Sequence, residues 1–146
     1  MKRSAGILPY KYVNGQLYVY LEHPGGPFFE GKDKWSIVKG EYNNERALLA
    51  AKREFKEESG FDIEGNLEYM GSFKLKQKLL VMFMIEKDLD VTMMKSNSFQ
   101  RMFNGTLGEY PEMDKARWFE IDDAYKYVFN SQRKVLNRIK LLKGVK

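Results

Sequence analysis

The chain has 146 residues, with 25 Lys and Arg against 20 Asp and Glu, a formal charge of +5, one His and no Cys. That length suits one domain with one core and is short for two. Hydrophobic residues make up 43% and charged residues 31%, which excludes a disordered or fibrous chain, and the missing thiols exclude a disulfide framework and a thiolate metal site. The positive excess favours anionic partners: phosphorylated metabolites, nucleic acid or an acidic membrane surface. Lys2 and Arg3 precede an apolar stretch broken at Pro9, Tyr10 and Lys11, so no export signal is visible. The longest apolar run, Leu79 to Ile85, is far below the roughly 18 residues of a membrane span. A soluble, cytoplasmic protein is expected.

Taken in chain order, the extended stretches Ala5 to Val13 and Leu17 to Leu21 flank Asn14-Gly15 and predict a tight β-hairpin. His23-Pro24-Gly25-Gly26-Pro27 is expected to leave the strand as a surface loop, because Pro lacks a donor and Gly packs little. A short strand from Trp35 to Val38 follows. Between Asn44 and Gly60 the spacing predicts a helix, with Asn43 or Asn44 as cap, Leu48, Ala51 and Phe55 on the apolar side and Gly60 at the C-terminal turn. Strands are predicted at about Ile63 to Lys76 and Lys78 to Ile85, the second buried on both faces. Lys87 to Tyr110 reads as a polar connection with weak strand potential near Asn97 to Arg101. A strand from Ala116 to Phe119, a short helix from Asp122 to Phe129 and an amphipathic helix from Ser131 to Leu142 complete the chain, the last burying Val135, Ile139 and Leu142.

The chemistry concentrates in the central helix. At roughly 100° per residue, Glu54, Glu57 and Glu58 fall at i, i+3 and i+4 on one face. Like charges one turn apart repel, and a cation removes that penalty. Hard divalent ions such as Mg²⁺ or Mn²⁺ prefer carboxylate oxygen and bridge phosphate oxygens, so this face suits a metal–pyrophosphate platform. The plainer reading is a solvated acidic stripe answered by Arg53 and Lys56.

The surrounding string, Lys39-Gly40-Glu41-Tyr42-Asn43-Asn44-Glu45 through Arg53-Glu54-Phe55-Lys56-Glu57-Glu58-Ser59-Gly60-Phe61, resembles the Nudix box. Glu45, the seven-residue gap, Arg53, Glu54, Phe55, Glu57, Glu58, Gly60 and Phe61 match it. It departs in one respect: four residues, not five, separate Gly40 from Glu45, and Val38 stands where relatives often have Pro. The resemblance implies an α/β/α sandwich with a central mixed sheet, a single Nudix hydrolase domain over residues 1–146, monomeric or homodimeric. It implies that Glu54, Glu57 and Glu58 bind Mg²⁺ or Mn²⁺ with help from the Gly40 backbone. Glu57 or Glu58 would also position or deprotonate the attacking water, and Glu45 and Arg53 would form a structural pair. Some members carry a further acid on a late loop, for which Glu112 in Pro111-Glu112-Met113-Asp114 is the candidate. Ser4-Ala5-Gly6, His23-Pro24-Gly25-Gly26-Pro27-Phe28, Trp35-Ser36-Ile37, Trp118-Phe119 and Gln132-Arg133 extend the likeness to small single-domain bacterial-type members.

The expected reaction is hydrolysis of a phosphoanhydride bond in a nucleoside diphosphate-linked small molecule. Dinucleoside polyphosphates are slightly favoured over nucleoside triphosphates, ADP-ribose and nucleotide sugars. Lys39, Arg53 and Lys74 are the substrate-binding candidates. Lys32, Lys34, Lys76 and Lys78 could add positive charge, although such lysines usually only protect edges. His23 is a weak ligand signal, and Phe28, Phe29, Trp35 and Tyr42 could stack on a base or simply fill the core. The competing reading is a Nudix-fold module that binds nucleotide or RNA without turnover.

Overall fold

In the computed structural model, which describes residues 1–146, the chain opens with the hairpin of β1 (Lys2–Val13) and β2 (Gln16–Pro24). Asn14 and Gly15 take φ of 51° and 79°, the positive pair that lets a two-residue turn follow the strand twist. β2 runs further than expected. His23 and Pro24 still pair with β8 (Met113–Glu120), and a register shift between them accommodates the missing Pro donor. His23 is therefore buried instead of lying on a surface loop.

The next strand, β3 (Val38–Tyr42), begins where the expected one ended. Trp35 and Ser36 make only single bridges, to Val128 and Glu22, whereas Val38 to Tyr42 pair with Ile7 to Arg3 of β1. Gly40 thus sits inside a strand, and the short interval of the motif is absorbed by the bend at residues 43–45. The helix α1 (Ala47–Ser59) follows, capped by Arg46 without a side-chain bond, since the two Asn residues lie within that bend. Its C-terminus ends on Gly60 at φ 81°, the left-handed position that glycine fills without strain. Ala50, Ala51, Phe55 and Ser59 form its buried side; Leu48, one position off that stripe, is 38% exposed.

β4 (Glu68–Leu75) is shorter than Ile63 to Lys76, because residues 63–67 form a coil that tucks Ile63 under α1. β5 (Lys78–Glu86) lies between β4 and β1 and buries residues on both faces. The polar connection holds a complete hairpin, β6 (Ser98–Phe103) and β7 (Thr106–Pro111), as a separate two-stranded sheet. Its turn, Asn104-Gly105, repeats the first one with φ of 51° and 78°. After β8 come α2 (Ile121–Tyr127), capped by the Glu120 carboxylate, and α3 (Arg133–Leu142). Leu136 takes the buried place expected for Leu142, which at the last turn is 47% exposed.

The six-stranded sheet has the order β4-β5-β1-β2-β8, with β3 also paired to β1. Only β1 and β5 are parallel, so the sheet is mixed. Strand alternation sends Ala5, Ile7, Tyr20 and Phe83 toward α1 and Leu8, Val19, Leu21 and Met82 toward α2 and α3. The result is an α/β/α sandwich with a core on each face. Phe55, fully buried beneath α1, fixes the rotation of that helix and leaves the acidic face free of the core.

Candidate active site

Arg53 organises the outer part of the acidic face. Its Nη2 and Nε hold Glu45 at 2.7 and 3.1 Å, while Nη1 donates to Glu54 at 2.9 Å and to Glu57 at 3.3 Å. A guanidinium suits this work because its donors form a rigid fork. Hydrogen bonding from Arg53 holds the Glu45 carboxyl below the ordinary carboxylate range, whereas burial pushes Glu54 above it. Gly40 lies directly against Glu54: a Cβ at that position would run into the carboxylate. Only a glycine lets β3 pass so close to α1.

The inner part has no such cation. Glu58 is half-buried, and its Oε2 is enclosed with no hydrogen-bond partner. Burial, then the nearby charges of Glu54 and Glu112, push its carboxyl up to about 8, with Lys39 opposing. Glu22, on β2, is fully buried; Tyr20 donates its hydroxyl to Oε2 at 2.6 Å, and Oε1 has no partner. Burial pushes Glu22 up to about 9, with the Tyr20 hydrogen bond opposing and the charge of Glu58 adding to it. The sequence reading did not single out Glu22. Its signal was an acidic residue in a strand whose neighbours on both faces, Tyr20 and Leu21, read as interior.

Glu112 is exposed and reaches the site through backbone hydrogen bonds. The Glu57 carbonyl accepts from Asn97 N–H at 2.7 Å, the Asn97 carbonyl from Glu112 N–H at 2.7 Å, and the Glu112 carbonyl from Gly25 N–H at 2.9 Å. The Ser96 hydroxyl accepts from Met113 N–H and donates to Met113 C=O, both at 2.9 Å, and clamps the same stem. His23 supports the neighbouring loop, its ring nitrogens contacting Asp114 Oδ1 and the Lys32 carbonyl.

Two cavities have in their walls a residue whose charge acts on Glu58, Glu112 in one and Lys39 in the other. One, of about 300 Å³, is lined by Glu112, Arg101 and the rings of Phe28, Phe29 and Phe99. The other, of about 1300 Å³, is an open groove bordered by Lys2, Lys39, Lys74, Lys76 and Lys78, with no acidic residue in its wall. Lys39 connects this groove to the acidic face: burial and the charge of Lys78 lower its pKa, and the charge of Glu58 raises it. Lys74 and Arg53 are far apart in role, Lys74 on the groove wall and Arg53 tied into the carboxylates. Trp35 and Tyr42 are core residues.

No group of three acidic or imidazole side chains gathers around a common point in a way that could hold a metal ion. The donor chemistry nevertheless fits a hard divalent cation. Two buried carboxylate oxygens lack partners, and three carboxyls are disfavoured as anions by their surroundings.

The sandwich, with an acidic helix face over one side of its mixed sheet, is an α/β/α fold of the Nudix type. A family model described as the NUDIX domain matches residues 3–139, and the chain belongs to the Nudix family. Structures of the same fold include the C. elegans Ap4A hydrolase in a binary complex, with TM-score 0.67, 19% identity, and 99% of this chain and 98% of that chain covered. The NUDIX domain of Shewanella oneidensis NrtR complexed with ADP ribose gives 0.65, 11%, 94% and 85%. The E. coli ORF135 protein gives 0.60, 19%, 98% and 92%. No curated protein sequence matches the chain. Membership supports, at the level of the family, a hydrolase of phosphoanhydride-containing, nucleotide-type compounds, a family that commonly uses Mg²⁺ or Mn²⁺. No helix is long and apolar enough to cross a membrane.

Proposed function

We propose that the chain, acting as one Nudix hydrolase domain, cleaves a phosphoanhydride bond in a nucleoside diphosphate-linked compound by attack of water, with dinucleoside polyphosphates as the favoured class. The observation that carries the reading is Glu58, whose enclosed oxygen has no partner and whose carboxyl feels the charges of Glu112, in the wall of the aromatic cavity, and of Lys39, in the wall of the lysine groove. A base stacks on Phe28, Phe29 or Phe99, and the phosphates run past Glu112 and Glu58 to Lys39 and Lys74.

Glu54, Glu57 and Glu58, with the Gly40 backbone, would hold Mg²⁺ or Mn²⁺, and such an ion when bound acidifies water and neutralises phosphate oxygens. Glu57 or Glu58 positions the attacking water or takes up its proton. Glu112 stands on the opposite side as a second acid, and Lys39 offsets negative charge on the departing phosphate. Arg53 keeps Glu45, Glu54 and Glu57 in register and takes part in substrate binding through that rim.

The test is hydrolysis across dinucleoside polyphosphates, nucleoside triphosphates, ADP-ribose and nucleotide sugars, with Mg²⁺, Mn²⁺ or chelator, for wild type and Glu57→Gln. Metal-dependent cleavage lost in the variant supports the enzyme; silence with folded protein rejects it. The lysine groove also favours a second reading, nucleotide or RNA binding without turnover, whose signature is steeply salt-dependent binding with no cleavage.

A further inference from the structure

We propose that Glu22, a strand residue outside the Nudix box, is a ligand of the divalent cation, sharing it with Glu58; this rests on the metal-dependent reading above. Glu22 is 0% exposed, and its backbone is held on both sides, to Ser36 by paired hydrogen bonds of 2.9 and 2.8 Å and to Ala116 of β8 by strand register. Tyr20, two residues earlier on the same face, donates to Oε2 at 2.6 Å and so orients the carboxylate. That leaves Oε1 free, and among enclosed side-chain atoms without a partner Glu58 Oε2 is the other carboxylate oxygen.

A carboxylate oxygen enclosed in this way needs a proton, a water or a cation. The rings of Tyr20 and Phe55 meet at 5.7 Å, which sets the face of β2 that carries Tyr20 and Glu22 against the side of α1 that carries Phe55 and, one turn on, Glu58. A cation satisfies both orphan oxygens at once, and it removes the repulsion between two anions. Tyr20 then acts as a positioning residue, holding a ligand in place as groups behind metal ligands commonly do.

Mn²⁺ binding to the purified full chain, read by electron paramagnetic resonance of the free ion, tests the assignment in wild type, Glu22→Gln, Tyr20→Phe and Glu58→Gln. Glu22→Gln keeps the shape and still accepts from Tyr20. It is expected to weaken Mn²⁺ binding roughly tenfold or more, and Tyr20→Phe about tenfold, while thermal unfolding without metal shows Glu22→Gln no less stable than wild type. Wild-type Mn²⁺ affinity in Glu22→Gln overturns the assignment and makes Glu22 a buried neutral acid. No Mn²⁺ binding by wild type overturns it together with the metal-dependent reading, whereas binding lost only in Glu58→Gln overturns this inference alone. Should Glu22→Gln fail to fold, Fe²⁺-directed oxidative cleavage of wild type decides: fragments ending near both residue 22 and residue 58 support the shared ion, and fragments near 58 only reject it.

Discussion

The two halves of one carboxylate cluster face opposite electrostatic problems. At the rim, Glu45, Glu54 and Glu57 share a single guanidinium that the chain supplies itself. Inside, Glu22 and Glu58 have neither a basic partner in hydrogen-bond contact nor water-facing freedom for their orphan oxygens. The rim sets three carboxylates around one guanidinium, and the interior disfavours the anionic form of both its acids. A helix wheel draws Glu54, Glu57 and Glu58 as equivalent; burial and Arg53 make them different.

The largest effect that sharpens this contrast is expected at Glu58. Glu58→Gln should lower turnover on the order of 100- to 10,000-fold while leaving the metal-free protein as stable as wild type or more so, since it replaces a carboxyl whose ionisation burial disfavours. Glu57→Gln should also lose most turnover and keep its fold, but with no gain in stability, because its partner Arg53 is already paired. Equal shifts in thermal midpoint for the two variants would break the comparison. Lys39→Ala comes next, with an expected rise in KM of about tenfold, equivalent to ~1.4 kcal/mol of phosphate binding, and an unchanged KM would remove Lys39 from the substrate path.

The pH dependence of the metal-free protein separates the halves in another way. Glu22 and Glu58 titrate near 9 and 8 when folded, above their ordinary value of 4.5. Between those limits the folded state keeps protons that the unfolded chain has released, so stability is fully present at low pH and falls as pH rises toward 8 to 9. Thermal melts in chelator should show that decline, and Glu22→Gln should flatten it; a midpoint constant across this range contradicts the buried charge. A smaller effect is expected for Arg53→Lys, which keeps one charge but loses the fork. It should destabilise by about 1 kcal/mol or less, as partly exposed ion pairs do. Glu112→Gln is the mildest, with a small change in the pH dependence of kcat, since Glu112 belongs to the charge environment of Glu58; an unchanged pH profile would remove Glu112 from that environment.

The rim was legible in the sequence because its residues recur at fixed helical spacing: Arg53, Glu54 and Glu57 need only the period of an α-helix to be placed together. Glu22 was not, since its meaning depends on the face of β2 that meets α1 through Tyr20 and Phe55, a long-range relation that no local spacing records. The two Asn-Gly turns make the same point for the fold. Asn14-Gly15 stood between strands whose apolar residues reach the core, whereas Asn104-Gly105 joins strands in which Met102, Phe103 and Leu107 are exposed, so the second hairpin carried the turn signal without the burial pattern. His23 and Pro24 stayed in β2 for a tertiary reason too, the ladder to β8 outweighing the local preference of Pro.

The stem beneath the second hairpin is closed by Ser96, Asn97, Glu112 and Met113 through backbone atoms and one hydroxyl. None of those bonds uses a side chain between residues 98 and 110, so the tip can lengthen, shorten or change composition while the acid at its base keeps its distance from α1. In evolutionary terms the hairpin is a replaceable cassette: Phe99, Arg101 and the rest of its strands can change while the bonds that tie its stem to α1 stay in place.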